Sequence, residues 1–183
     1  DEPLLGGLAP RLGAMHLRTL TILGLPSSTW PGLLDELNGQ AFEYRWCTRA
    51  ICLDKTDAAR LFTRIRRQWF AKRKSVAAIL KEVMTNEAST LLDSDAANKA
   101  ADADEALQEL GADVAGAAYV TATITVWDED PRAAEAKLKA AEKIVQGRDF
   151  TCIPETLNAL DAWLGSLPGH LYANVRQPPI TTL

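Results

Sequence analysis

The spacing of apolar residues changes at Leu53 and again near Gly111, and this change restricts the fold more than any other feature of the sequence. Between them, Ala58, Phe62, Ile65, Trp69, Val76, Leu80 and Val83 recur at close to 3.6 positions, as one buried helix face requires. Ala96, Ala100, Ala103, Leu107 and Leu110 then repeat at alternating spacings of 4 and 3. On either side the pattern is alternation instead. Met15 to Leu25 sets Leu17, Thr19, Thr21 and Leu23 against Arg18, Leu20 and Ile22. Phe42 to Leu53 sets Phe42, Tyr44, Trp46 and Thr48 against Glu43, Arg45, Cys47 and Arg49. Ala117 to Trp127 sets Tyr119, Thr121, Thr123 and Thr125 against Val120, Ala122, Ile124 and Val126. Period-2 runs bounded by turn residues are strands. The chain therefore reads as a strand framework interrupted by two long helices, with a bend near Thr85 to Asp93.

Shorter elements complete the order. Pro26-Ser27-Ser28-Thr29 breaks the first strand and offers caps for a short helix from Pro31 to about Leu37, which Asn38-Gly39 ends. Asp128-Glu129-Asp130-Pro131 places carboxylates and a proline where a helix begins, and that helix runs to Gln146 before Gly147. Phe150 to Ile153 is a fourth strand, Glu155 to Leu164 a last helix closed by Gly165, and loop follows. The sum is βαβ, helical hairpin, βαβ, helix. Two split βαβ units side by side give an α+β sandwich with a ferredoxin-like four-stranded sheet, the hairpin inserted over about 57–111. Residues 1–14, with five Gly and Pro in the first 13 positions, read as an irregular lead-in. Residues 15–167 read as one domain and 168–183 as a linker.

Charge is distributed by segment. From Ala58 through Lys81 there are eight basic residues and no acidic one; from Glu82 through Asp113 there are nine acidic residues and one Lys99. The formal net charge of -4 conceals this polarity. The basic arm, with Arg60, Arg64, Arg66, Arg67, Lys72, Arg73 and Lys74, interleaves cations with Trp69 and Phe70, a composition suited to tracking phosphates and stacking on bases. Trp69 falls on the apolar stripe, which assigns it to the core and favours a solvated or partner-facing basic surface over direct DNA contact.

Several chemistries are excluded. The uncharged stretch Val114 to Trp127 has 14 residues, too few to span a bilayer as a helix, and the first residues lack the basic and apolar regions of a signal peptide. Cys47, Cys52 and Cys152 read as buried reduced thiols. His16 and His170 stand in unrelated contexts, so neither a metal site nor a thiol nucleophile is indicated. Gly111 and Gly116 have the glycine spacing of a phosphate-binding loop, but Ala117-Ala118 stand where Lys and Ser/Thr are required. No catalytic, cofactor-binding or metal-ligating residue is therefore assigned.

One block is more specific: Leu157-Asn158-Ala159-Leu160-Asp161-Ala162-Trp163-Leu164-Gly165-Ser166-Leu167-Pro168-Gly169-His170, followed by Asn174-Val175-Arg176-Gln177-Pro178. It resembles the segment ahead of the motor domain in the VirB/TrbE/CagE family of type IV secretion and conjugal transfer ATPases, the TrbE branch most closely. The resemblance extends back through Phe42-Glu43-Tyr44-Arg45-Trp46-Cys47-Thr48-Arg49 to Gly24-Leu25-Pro26. It implies a non-catalytic docking and assembly region, cytoplasmic and peripheral to the bacterial inner membrane. The implied partners are inner-membrane channel subunits, a C-terminal ATPase domain and neighbouring copies in a homo-oligomer. ATP and Mg are expected only in that C-terminal domain, and the family's ATPase residues map onto no position here.

Overall fold

The computed structural model describes residues 2–68, 90–112, 115–170 and 172–181. The strands are β1 (Leu4–Leu5), β2 (Arg11–Leu12), β3 (Met15–Gly24), β4 (Tyr44–Leu53), β5 (Ala117–Asp128), β6 (Thr151–Pro154) and β7 (Pro179–Thr181). They form one sheet in the order β1-β2-β3-β5-β4, with β6 on β3 and β7 on β5. The pairs β1–β2, β2–β3, β3–β5 and β3–β6 are antiparallel. The path β6-β3-β5-β4 is the strand order of a ferredoxin-like sheet, so the α+β architecture read from the sequence is the one observed.

The chain divides into two compact units, Asp1–Ile51 with Tyr119–Pro178, and Cys52–Ala118 with Pro179–Leu183. In the first, the register of the two central strands explains which residues are buried. Leu20 lies opposite Ile124 and Ile22 opposite Ala122, while Thr19 lies opposite Thr125 and Thr21 opposite Thr123. One face of the sheet is thus aliphatic and the other threonine. Leu20, Ile22, Ala122, Ile124 and Val126 form the main core with Leu138, Ala141, Ile144 and Val145 of helix α3 (Pro131–Gln146). Helix α3 starts where the sequence places it. The Asp130 carboxylate accepts from Arg132 N at 3.0 Å, and Pro131 occupies the first turn, where its missing N–H is not needed.

Asp128 precedes that cap and serves it twice. Its Oδ1 accepts from Asp130 N at 2.9 Å, and its Oδ2 pairs with Lys137 Nζ at 2.7 Å. The Lys137 hydrogen bond, then the backbone N–H, hold the Asp128 carboxyl below the usual carboxylate range. A carboxylate whose folded pKa is depressed stabilises the fold above its unfolded value, about 3.9, and loses that contribution as pH falls through the folded value. Asp128→Asn should therefore lower stability at neutral pH and flatten its acid dependence below about pH 4, which thermal melts from acid to neutral pH would read as convergence of the two proteins at the acid end.

Four expectations change. The helix expected over Pro31 to Leu37 is a series of turns followed by a 3₁₀-helix, Asp35–Gly39, which includes the Asn38-Gly39 pair expected to end it. Gly32 at φ +85° interrupts any α-helical path, and bonds from Leu33 N to Trp30 O and Asp35 N to Gly32 O close i to i+3 turns. Strand β6 spans Thr151–Pro154 rather than starting at Phe150, which belongs to the core. The last helix, α4, spans Ala159–Leu164, because Glu155 N donates to Thr19 O at 2.9 Å and extends the sheet's bonding instead of opening a helix. The loop expected after Gly165 contains β7. The thiols are also less enclosed than expected: Cys52 is exposed and Cys47 and Cys152 are half-buried, since β4 turns Trp46, Thr48, Ala50 and Cys52 away from the core. Burial, then the negative charge of Glu142, pushes the Cys152 thiol up.

In the second unit, residues 55–68 form helix α1 and Thr90–Gly111 helix α2. Asp54 caps α1, its Oδ1 accepting from Asp57 N at 2.8 Å. Ala58 and Phe62 pack with Ala106, Leu110 and Ala117, flanked by Leu53, Ile65 and Leu107, as the periodic stripes predict. Thr90 to Asp93, expected in the bend, are helical; residues 85–89 of that bend, and Trp69, lie outside the described residues.

Candidate functional site

The basic arm resolves into residues with different fates. Arg60, Arg64 and Arg67 recur at i, i+4 and i+7, are exposed, and line a concavity of about 900 Å³ with Lys55, Thr56, Ala59, Thr63 and Gln68. Arg60 also pairs with Asp57 at 3.2 Å within the helix, a contact worth little at such exposure. Arg66 points elsewhere. Its Nη1 meets Asp104 Oδ1 of α2 at 2.8 Å, so one cation of the candidate set is engaged by the acidic arm. Lys72, Arg73 and Lys74 lie outside the described residues.

The two sequence blocks that carry the family resemblance are brought together in the first unit, against the threonine face. Alternation on β4 sends Arg45, Cys47 and Arg49 to one side, and the side chains lead inward rather than to water. Arg49 is 5% exposed. Its Nη2 reaches Thr121 Oγ1 at 3.0 Å, Asn174 O at 3.3 Å and Arg176 O at 2.9 Å. Thr121 Oγ1 donates to the same Arg176 carbonyl at 2.6 Å. Burial draws the Arg49 guanidinium below its ordinary value, partly opposed by Cys47, yet an arginine remains charged at any working pH. Arg45 donates to Ser166 Oγ and lies 6.0 Å from the centre of the Trp163 ring, the outer limit of a cation–π contact.

The segment gripped by these arginines is itself cross-linked. Arg176 Nε and Nη2 donate to the two oxygens of Glu155 at 3.0 and 3.2 Å, a bidentate pair that raises the Arg176 pKa. Asn174 Oδ1 accepts from Arg176 N at 2.9 Å and from Asn158 Nδ2 at 3.0 Å. Ser166 Oγ donates to Trp163 O at 2.5 Å. Trp163, Gly165, Ser166 and Asn174 are buried, Leu164, Leu167 and Arg176 half-buried, and Pro168, Gly169 and His170 exposed, with Gly169 at φ +89° in the turn between them.

Gly165 has an ordinary φ of -63°, so backbone freedom does not explain it. Space does: a Cβ there would sit 2.7 Å from Asn174 Cβ and 3.1 Å from Asn174 N. Gly165→Ala should cost about 1–3 kcal/mol by forcing the segment outward, read as a lower urea midpoint with faster amide exchange at 174–178.

Arg49, Glu155, Asn158 and Thr121 are not singled out by the sequence as site residues, although they complete this lock. The one signal that points to them is a pair of arginines on the same face of a strand, an arrangement that requires a partner if the face is covered. The arrangement binds and positions; its cations are arginines and its carboxylate is already doubly bonded, so nothing in it is poised as nucleophile or general base. Among the described residues no group of three His, Cys, Asp or Glu is placed to hold a metal.

Comparison with known proteins gives consistent matches. A family model described as "CagE, TrbE, VirB family, component of type IV transporter system" matches residues 13–176, a span that ends on the last arginine of the lock. A probable conjugal transfer protein TrbE of Sinorhizobium fredii (strain NBRC 101917 / NGR234) is 34% identical over 176 residues, covering 96% of this chain and 26% of its own length. "Conjugal transfer protein TrbE" of Rhizobium radiobacter is 35% identical over 176 residues, covering 96% of this chain and 21% of its own length. The chain thus spans about a quarter and a fifth of these curated relatives.

Proposed function

The chain belongs to the CagE, TrbE, VirB family, a component of the type IV transporter system, and on that premise we propose that this region is a non-catalytic docking and assembly domain of a conjugal transfer ATPase. Its partners in this reading are inner-membrane channel subunits, neighbouring ATPase subunits and a C-terminal ATPase domain, which would carry the ATP and Mg chemistry. Association with the membrane is peripheral in this reading, and no described helix is long and apolar enough to cross one.

The observation that carries the proposal is the exposed strip of Arg60, Arg64 and Arg67 on α1 beside its concavity. Cations fixed on a helix and left facing solvent steer encounter and set orientation with an acidic partner. The lock in the other unit supports the same reading, since its side chains hold the chain's own segments together and leave Leu157, Tyr172 and Val175 exposed beside it. Direct DNA contact is the second reading. Engagement of Arg66 by Asp104 leaves it three described cations.

Binding of the chain to purified channel subunits, followed by interferometry at low and physiological salt, tests the proposal. Arg64→Glu with Arg67→Glu should weaken binding about tenfold or more and flatten its salt dependence. Equal binding by parent and variant, or saturable ATP binding by the chain in calorimetry, would overturn it.

A further inference from the structure

The two arms of the helical unit carry opposite charge, yet the described contacts do not let them neutralise each other. At 3.6 residues per turn, Arg60, Arg64 and Arg67 lie about 140° around α1 from the Ala58–Phe62–Ile65 stripe that packs on α2. They point away from the acidic arm of their own chain. On α2, Asp102, Glu105 and Glu109 recur at i, i+3 and i+7, and by the same geometry lie about 120° from the packed Ala103–Ala106–Leu110 side. Asp102 and Glu105 are exposed and Glu109 is half-buried. Asp104, on the opposite flank of α2, is the acid that meets Arg66. Among the described residues, Arg64, Arg67, Asp102, Glu105 and Glu109 have no ion-pair partner.

The strips also match in length. Each covers seven residues of helix, about 10.5 Å at 1.5 Å per residue, with three like charges. An acidic helix face of that length and spacing fits the basic strip, and the chain itself presents one. We infer that the Arg60–Arg64–Arg67 strip docks against the Asp102–Glu105–Glu109 strip of a second copy of this chain. This rests on the assembly reading above and names its partner surface. A contact between two different patches is heterologous, so each copy uses both strips; repetition gives a ring if the rotation closes and a filament if it does not.

Exposed ion pairs are individually weak and screened within about 8 Å at physiological salt, so the association is salt-sensitive. The test is a charge exchange in the whole chain, followed by sedimentation equilibrium at about 50 and 500 mM salt, on either side of the screening length that matters. The parent should associate with rising concentration at the lower salt and dissociate at the higher. Arg60→Glu/Arg64→Glu/Arg67→Glu should weaken association about tenfold or more, as should Asp102→Lys/Glu105→Lys/Glu109→Lys. Mixing the two variants should restore it, because each then offers the complement the other lost.

Helix content by circular dichroism checks that both variants fold, and the milder pair Arg64→Gln/Arg67→Gln replaces the first if it does not. A parent monomeric at every concentration, variants that associate as the parent does, or a mixture that stays monomeric would each overturn the inference. So would a monomeric parent that binds duplex DNA through the same arginines. A monomeric chain that still binds channel subunits would retire this inference and leave the docking proposal standing.

Discussion

Arg176→Ala should destabilise the chain by about 3–5 kcal/mol, the loss expected when one member of a buried ion pair is removed and its partner remains. The Glu155 side chain is 1% exposed and meets Arg176 through both oxygens. Water cannot replace the guanidinium without opening the segment that covers it. Arg176 is only half-buried, so the loss comes chiefly from the stranded carboxylate rather than from the attraction itself. A double substitution separates the two: Glu155→Gln with Arg176→Met removes both charges and should recover more than half of the loss in chemical denaturation. If the double variant is as unstable as Arg176→Ala alone, the carboxylate is not what the arginine holds in place.

Arg49→Met is the second large effect, about 2–4 kcal/mol, since a buried acceptor left without its donor costs about 1–3 kcal/mol. Methionine keeps much of the volume, so the change reads hydrogen bonding rather than a cavity. Two carbonyls, those of Asn174 and Arg176, lose this donor, although Thr121 still serves the second. The expected signature is regional: amide exchange accelerates at 174–178 and in β4, while α3 and its aliphatic core keep their protection up to the global transition. Uniform acceleration would mean that the arginine supports the whole unit rather than the cover.

What can be read from the sequence, and what cannot, follows from the range of the forces involved. Strands β3, β4 and β5 and helix α3 are legible because period and cap chemistry are local: Asp130 and Pro131 fix the start of α3 without reference to anything distant. The helical stripes of α1 and α2 are legible for the same reason. The turns after β3 read as a helix because Gly32 permits a conformation that composition does not reveal. Helix α4 starts later than its pattern suggests because Glu155 is committed elsewhere, its N–H to Thr19 and its carboxylate to Arg176. The lock as a whole is hidden in the same way. Alternation places Arg45 and Arg49 on one face of β4, but most of the acceptors lie over 100 residues away, and backbone carbonyls among them leave no mark in a sequence.

The difference between the two faces of the sheet has a mechanical consequence. The aliphatic face under α3 is adhesive without direction, and such a contact tolerates small sliding because one methyl group serves as well as the next. The threonine face is different. Its cover is fixed by bonds from Arg49, Thr121 and Asn158 to particular atoms of residues 174–176, and displacement by one residue would misplace each of them at once. A load applied along the chain at Pro178 is therefore met in shear by several hydrogen bonds acting in parallel. The segment resists creep under tension and yields, when it does, in a single step.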